Sequence, residues 1–560
     1  MTATLPPLPT ISPQAVQEAL RAGHEIALID VREEHPFAQA HPLFAVQLSA
    51  GRIELDAPWR LPRRDVPIAV YDDGEGLAGP AAHTLRSLGY TQVHLLGTAP
   101  AHLLNGAGHS GLAAWRNSGG ELFRDVNVPS KAFGELVEHE RHTPSLPAEA
   151  VKALIEGGAD VVVLDARRFD EYQTMSIPSG TSVPGAELLL HLRDLAPSPA
   201  TQVIVNCAGR TRSIIGTQSL VNAGIPNPVA ALRNGTIGWT LAGFTLDRGA
   251  QRRFGPVTQA SLAPARQAAQ ALADRAGATR LDTAGLAAWA ADTTRTLYRW
   301  DVRTPEEYAA GHRPGFGSAP GGQLVQETDV CAAVRGARIV LADGGPATDG
   351  VRAAMTAHWL AQLGWQVAWL TDEAPADTLA TGPWQPACSA WPAVPVVTPS
   401  ELAKLLSDTQ PGGDLLLLDL GTSAGYVKGH IPGARWALRA QLAAAQAAAP
   451  AAARTVLTCG NGVLSRFAAG DLARLTGQPV AVLDGGTAAW VAEGRPLASG
   501  DIQPSGGTGL LSPRIDRYRR PYEGTDAPRE AMQAYLDWEF GLVAQLARDG
   551  THGFRVLPAG

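Results

Sequence analysis

Four times along the 560-residue chain a short apolar run closes on an aspartate: IALID at Asp30, VVVLD at Asp165, LYRWD at Asp301 and LLLLD at Asp419. The intervals of 135, 136 and 118 residues are each the length of a small domain. A repeat at that period predicts four modules with a core each, since single cores stop growing at roughly 250–300 residues. Each module then offers two further runs: PIAVYDDG and QVHLLGT, QVIVNCAG and PVAALRNG, RIVLADGG and QVAWLTD, TVLTCGNG and PVAVLDGG. Short runs rich in Val, Ile and Leu read as strands buried on both faces. Helical stretches such as Arg212 to Ala223 and Leu464 to Thr476 separate the second run from the third, which makes strand–helix–strand crossovers. The expected class is therefore α/β, with each module a parallel sheet flanked by helices. Ligands then belong at the loops that follow the strands.

The modules read as 8–125, 144–250, 280–381 and 394–500, with a loop and helical tail over 501–560. Asp125 to Pro147 reads as a polar linker, Phe254 to Thr283 carries an Ala-rich helical segment, and Gly382 to Pro395 is proline-rich. In the tail, a Gly/Ser/Pro loop (SGDIQPSGGTGLLSPR) precedes a helix expected from Pro528 to Arg548. Its Met532, Leu536, Phe540 and Val543 fall on one face, which predicts a packing element or a homodimer contact. A net charge of −7 with both signs dispersed argues against nucleic acid or an anionic membrane as the main partner. The N-terminus has no signal-peptide pattern and no apolar run reaches membrane length, so a cytoplasmic location is expected. The four cysteines are too sparse for a disulfide framework or a CxxC metal site.

Two cysteines stand where chemistry is expected. Cys207 and Cys459 each end the second run of their module and open a short Gly-containing loop into a helix. In the first and third modules Asp72 and Asp343 hold that place. Loop amides and a helix N-terminus favour thiolate over thiol, which predicts lowered thiol pKa values. The loop residues Ala208, Gly209, Arg210, Thr211, Arg212 and Ser213 form the expected anion cradle of Cys207, with Arg210 and Arg212 as its cations. Gly460, Asn461, Gly462, Val463, Leu464, Ser465 and Arg466 form that of Cys459. The plainer reading makes both cysteines small buried residues. Cys331 and Cys388 lie outside the pattern and read as structural. His312 and His430 sit in matching Gly-His segments without a second ligand at metal spacing, so they read as packing residues, as do Asp165 and Asp419 as turn anchors.

These segments, taken in order, resemble rhodanese-type sulfurtransferase domains. The carriers are Asp-x-Arg at Asp165–Arg167 and Asp301–Arg303, Gly-His-Ile-Pro-Gly-Ala at Gly429–Ala434, the cysteine loops, and Asp-Gly-Gly-Thr-x-x-Trp at Asp484–Trp490. Module two has Asn234 to Trp239 in the last place, with 32 residues from Cys207 to Trp239 against 31 from Cys459 to Trp490. The resemblance implies four tandem rhodanese-like modules, arranged as an inactive module followed by an active one, twice over. It also implies sulfur transfer from thiosulfate or a similar anion, through a cysteine persulfide, to cyanide or a thiol, with no cofactor or metal. Aspartate cannot form a persulfide, so Asp72 and Asp343 mark the inactive modules. Module four departs at Gly421, where the arginine of Asp-x-Arg is missing, and module two has Met175 to Gly180 in place of Gly-His-Ile-Pro-Gly-Ala. Two competitors remain: a non-catalytic sulfur carrier or binding scaffold, and a cysteine-dependent phosphatase. The phosphatase loop needs arginine six residues after cysteine, where this chain has Ser213 and Ser465.

Overall fold

The computed structural model describes residues 8–97, 110–344, 350–408, 415–448, 452–501, 509–526 and 528–558. These form four five-stranded sheets, and every strand pairing is parallel. Strand order is the same in all four: numbered by sequence within a module, it runs 1-5-4-2-3. The central strands, such as Ile68–Tyr71, Gln202–Asn206, Arg338–Ala342 and Arg454–Thr458, are almost wholly buried, as their continuous apolar runs require.

Register explains why the repeat is legible. Each strand-end aspartate lies level with the last residue of the central strand: Asp30 with Tyr71, Asp165 with Asn206, Asp301 with Ala342, Asp419 with Thr458. The next residue is Asp72, Cys207, Asp343 or Cys459, so the alternation read from sequence occupies one spatial position. In the first three modules the Asp-x-Arg arginine folds back onto its own aspartate. Arg32, Arg167 and Arg303 contact Asp30, Asp165 and Asp301 at 2.6, 2.7 and 2.6 Å, and donate to the carbonyls of Ala40, Met175 and Gly311. These aspartates and arginines fasten a buried turn.

The two aspartates at the cysteine position accept from backbone amides that follow them in the chain. Asp72 accepts from the amides of Gly74, Leu77 and Ala78, while Asp343 accepts from the Arg352 amide and pairs with its guanidinium at 3.0 Å. His312 and His430 stack on Tyr308 and Tyr426 at 3.7 and 3.9 Å, the packing role expected of them.

Module packing does not follow chain order: the first module lies on the third, where Glu25 pairs with Arg295 at 2.8 Å and the Tyr298 hydroxyl donates to the Arg60 carbonyl, and two further pairs meet through short turns. The short turn after the third strand joins the first module to the fourth, where Gly51 abuts Arg439 and Ala440 and Arg439 pairs with Glu54 at 2.7 Å. The equivalent turns join the second module to the third: Gly185 lies against Gly322, and Arg352 forms a buried pair with Glu187 at 2.8 Å. Glycine at both 185 and 322 lets the two backbones meet. One apolar core runs through the first three modules, and the fourth has cores of its own.

Two expectations about connecting segments are corrected. The stretch read as a polar linker holds a 14-residue helix, Val128–Arg141, with Val128, Ala132, Phe133 and Val137 buried. Its polar residues are inside because they have partners, Lys131 with Asp125 at 2.6 Å and Glu135 with Arg210 at 2.7 Å. The tail helix is two helices, Arg529–Phe540 and Leu542–Asp549, broken at Gly541. Met532 and Leu536 pack with Ile237 of the second module, whereas Phe540 is 54% exposed. The stripe is thus occupied by the chain's own module. Part of the preceding Gly/Ser/Pro loop, residues 502–508, lies outside the described residues. No described helix is long and apolar enough to cross a membrane.

Candidate active site

Cys207 follows the strand Gln202–Asn206 and is separated by three residues from the helix Thr211–Asn222. Its Sγ lies 3.4 Å from Ser213 Oγ, which itself donates to the Arg210 carbonyl at 2.8 Å. The loop is clamped from below: the amides of Thr236 and Ile237 donate to the carbonyls of Cys207 and Ala208. Gly235, at φ 54°, is required there, because a β-carbon would overlap the Cys207 carbonyl oxygen. Cys459 repeats the arrangement. Thr487 and Ala488 donate to the carbonyls of Cys459 and Gly460, and Gly486 at φ 62° meets the same restriction.

The charges differ from the sequence expectation. Arg210 is not a free cation: Glu135 holds it at 2.7 Å, Glu138 and Asn234 contact it too, and its guanidinium lies 4.3 Å over the Phe540 ring. Arg212 makes a two-point pair with Glu171 at 2.7 and 2.8 Å. Against a burial that would raise it, Arg212 holds Glu171 down to about 2. Burial pushes the Cys207 thiol up, opposite to the lowering expected from loop amides and helix terminus, while Arg212 and Ser213 pull it back down. Desolvation outweighs the favourable partners because Cys207 is only 2% exposed.

The two loops also differ in access. Every residue from Cys207 to Thr211 is buried, whereas Gly460 and Asn461 are exposed beside a 3% exposed Cys459. The difference comes from the tail, whose helix Arg529–Phe540 lies on the Cys207 loop and brings Tyr535 and Glu539 against Gly209. A polar cleft of about 300 Å³ reaches this loop at Ala208 and Arg212. Arg168, Arg517 and Arg520 also line it together with Asp170, Glu171, Glu327 and Glu523, Arg168 paired with Asp170 and the other two with Glu523, and Gln323 and Gln326 come from the third module.

At Cys459, Arg466 pairs with Asp484 at 2.8 Å. Arg52 of the first module, held by Asp56 at 2.8 Å, stands within electrostatic reach of Cys459. Among the described residues Asp419 has no arginine partner: the Gly421 amide donates to it at 2.7 Å, and burial pushes its carboxyl up to about 6. Cys331 is half-buried and Cys388 exposed. No group of His, Cys, Asp and Glu among the described residues could hold a metal ion.

Sequence reasoning missed Glu135, Glu171, Arg52, Arg517, Arg520, Tyr535 and Glu539, which reach the two sites from distant segments. Only Glu539 left a trace, as an acidic residue on the buried face of the tail helix with Met532 and Leu536.

Residues 12–98, 147–242 and 398–493 match the rhodanese-like domain family. A crystal structure of thiosulfate sulfurtransferase from Pseudomonas aeruginosa is 60% identical, covering 98% of this chain and 100% of its own, with a TM-score of 0.92. A rhodanese-related protein of Thermoplasma volcanium is 18% identical over 19% of this chain and 97% of its own, with a TM-score of 0.17. A rhodanese-like domain from Anabaena is 19% identical over 21% and 92%, with a TM-score of 0.17. No curated protein matches the chain.

Proposed function

Because this chain belongs to the rhodanese-like family and is a sulfurtransferase, we propose that it carries sulfane sulfur on Cys207 and Cys459, taken from thiosulfate and passed to cyanide or a thiol. The observation that carries this reading is the shared register position of the two cysteines, in a chain 60% identical to a thiosulfate sulfurtransferase over nearly its whole length. A cysteine thiolate attacks the outer sulfur of thiosulfate; the sulfur–sulfur bond breaks and sulfite leaves with its electron pair. The acceptor then attacks the terminal sulfur of the persulfide, and the cysteine departs as thiolate, a two-step exchange with ping-pong kinetics.

Anion recognition falls to different residues at the two sites. At Cys207, Arg212 and the cleft arginines Arg168, Arg517 and Arg520 meet the sulfonate, and Arg210 keeps the loop in shape. At Cys459, Arg52 from the first module supplies the positive charge that the loop itself has only at Arg466. The modules 8–125 and 280–381 are inactive, with Asp72 and Asp343 where the other two have a thiol. Four unpaired cysteines support a reducing, cytoplasmic setting.

The test is thiocyanate formation from thiosulfate and cyanide by the purified full chain. Each of Cys207→Ser and Cys459→Ser should retain part of the activity and the double variant none; activity that survives in the double variant overturns the assignment.

A further inference from the structure

Glu539 has no part in the sulfur exchange above, yet it is the acidic side chain that the tail lays on the Cys207 loop. Its Oε2 lies 3.3 Å from where a β-carbon on Gly209 would stand, level with the Tyr535 ring at the same distance. The residue is 1% exposed. Oε1 accepts from the Tyr535 hydroxyl at 3.0 Å, and Oε2 has no hydrogen-bond partner among the described residues. An orphaned carboxyl oxygen in a closed site is costly unless something meets it when the site is in use. The helix that carries it is fastened on both sides: Arg529 donates to the carbonyls of Thr240 and Leu241, and Phe540 lies under the Arg210 guanidinium.

We propose that Glu539 is a specificity-determining residue of the Cys207 site, whose carboxyl donates a hydrogen bond to the terminal sulfur of the Cys207 persulfide and so holds the sulfur against discharge. The proposal rests on Cys207 forming a persulfide. The Cys459 loop is open instead, since Gly460 and Asn461, which stand in the places of Ala208 and Gly209, are exposed. Sulfur on Cys459 is therefore released readily, and sulfur on Cys207 is kept.

Donation requires the protonated acid. Burial, with the neighbouring Glu135 carboxylate, pushes Glu539 up to about 8. Of these two acids Glu539 carries the proton, because Glu135 has the Arg210 guanidinium at 2.7 and 2.8 Å. The other titratable groups facing it are Lys131 from the helix Val128–Arg141, Arg210 and Cys207 from the loop, and Tyr522 and Tyr535 from the tail. The acid is protonated below its raised pKa, so the stabilisation is present at neutral pH and is lost as pH climbs through about 8.

The experiment uses the full chain with Cys459→Ser, loaded with thiosulfate and freed of it, and follows persulfide on Cys207 by intact mass during discharge to glutathione from pH 6.5 to 9.5. Expressed per glutathione thiolate, whose own fraction rises over this range, discharge with Glu539 present should be slow at neutral pH and accelerate about tenfold across pH 8, the loss of one hydrogen bond to a charged group. Glu539→Gln keeps a donor that does not titrate, so its discharge should stay slow and lose that acceleration. Glu539→Leu should discharge about tenfold faster at pH 7 and show no break near pH 8. Identical rates and pH profiles in all three would overturn the role of Glu539 and leave the persulfide reading standing. No persulfide on Cys207 in any of them would overturn both.

Discussion

The missing arginine of module four makes Asp419 a place where removing a charge should stabilise the protein. Its carboxyl is buried, accepts among the described residues from the Gly421 amide alone, at 2.7 Å, and is pushed from 3.8 up to about 6. A carboxyl whose folded pKa lies above its unfolded one favours folding while protonated, and loses that contribution as pH rises from the unfolded value through the folded one. The window here is about pH 4 to 6. A shift of about 2 units at about 1.4 kcal/mol each sets the penalty at pH 7 near 3 kcal/mol. Asp419→Asn keeps an acceptor for Gly421 and removes the buried charge. Hydrogen exchange over the strands Leu415–Asp419 and Arg454–Thr458 should therefore slow in the variant at pH 7 and match the parent near pH 4. Asp165→Asn is the counter-case, because it strips Arg167, 1% exposed, of contacts at 2.7 and 2.9 Å and takes an acceptor from Asn206. It should destabilise module two by about 3–5 kcal/mol. Faster exchange in Asp419→Asn at pH 7 would refute the reasoning.

Arg212→Gln, in a Cys459→Ser chain, removes the cation that favours the Cys207 thiolate; the alkaline rise of thiocyanate formation should move to higher pH and the thiosulfate KM should increase roughly tenfold. An unmoved pH profile would mean that Arg212 does not act on the thiol. Gly235→Ala and Gly486→Ala drive a β-carbon into the carbonyls of Cys207 and Cys459, at φ values that disfavour any side chain. Each should cost about 1–3 kcal/mol and silence its own cysteine, measured by denaturation and by thiocyanate assay in the matching single-cysteine chains.

What could be read ahead of the structure was whatever sits on a buried strand or its end. VVVLD and QVIVN align at Asp165 and Asn206 because a parallel ladder fixes register, and that placed Cys207 and its three counterparts correctly. The charge state could not be read the same way. Arg210 and Arg212 stand next to Cys207 in sequence, yet Glu135 and Glu171, which decide what those arginines do, come from other helices. The thiol's upward shift has the same origin, since the tail helix that buries the loop, Arg529–Phe540, starts more than 300 residues later. Proximity in sequence identified the loop, and distant packing set its electrostatics.

Packing out of chain order gives the aspartate modules a use that their own loops deny them. Asp72 accepts from the amides of Gly74, Leu77 and Ala78 and Asp343 from that of Arg352, so a carboxylate stands in these modules where a thiol stands in the other two. Each of these modules instead faces a cysteine module through the turn after its third strand. That turn brings Arg52 towards Cys459, and the segment after it in module three brings Gln323 and Gln326 to the cleft beside Cys207. Sequential packing of one with two and three with four would break both contacts. The order aspartate, cysteine, aspartate, cysteine thus matters as a supply of facing surfaces, and a chain shortened to its second and fourth modules would keep both thiols and lose the residues that face them.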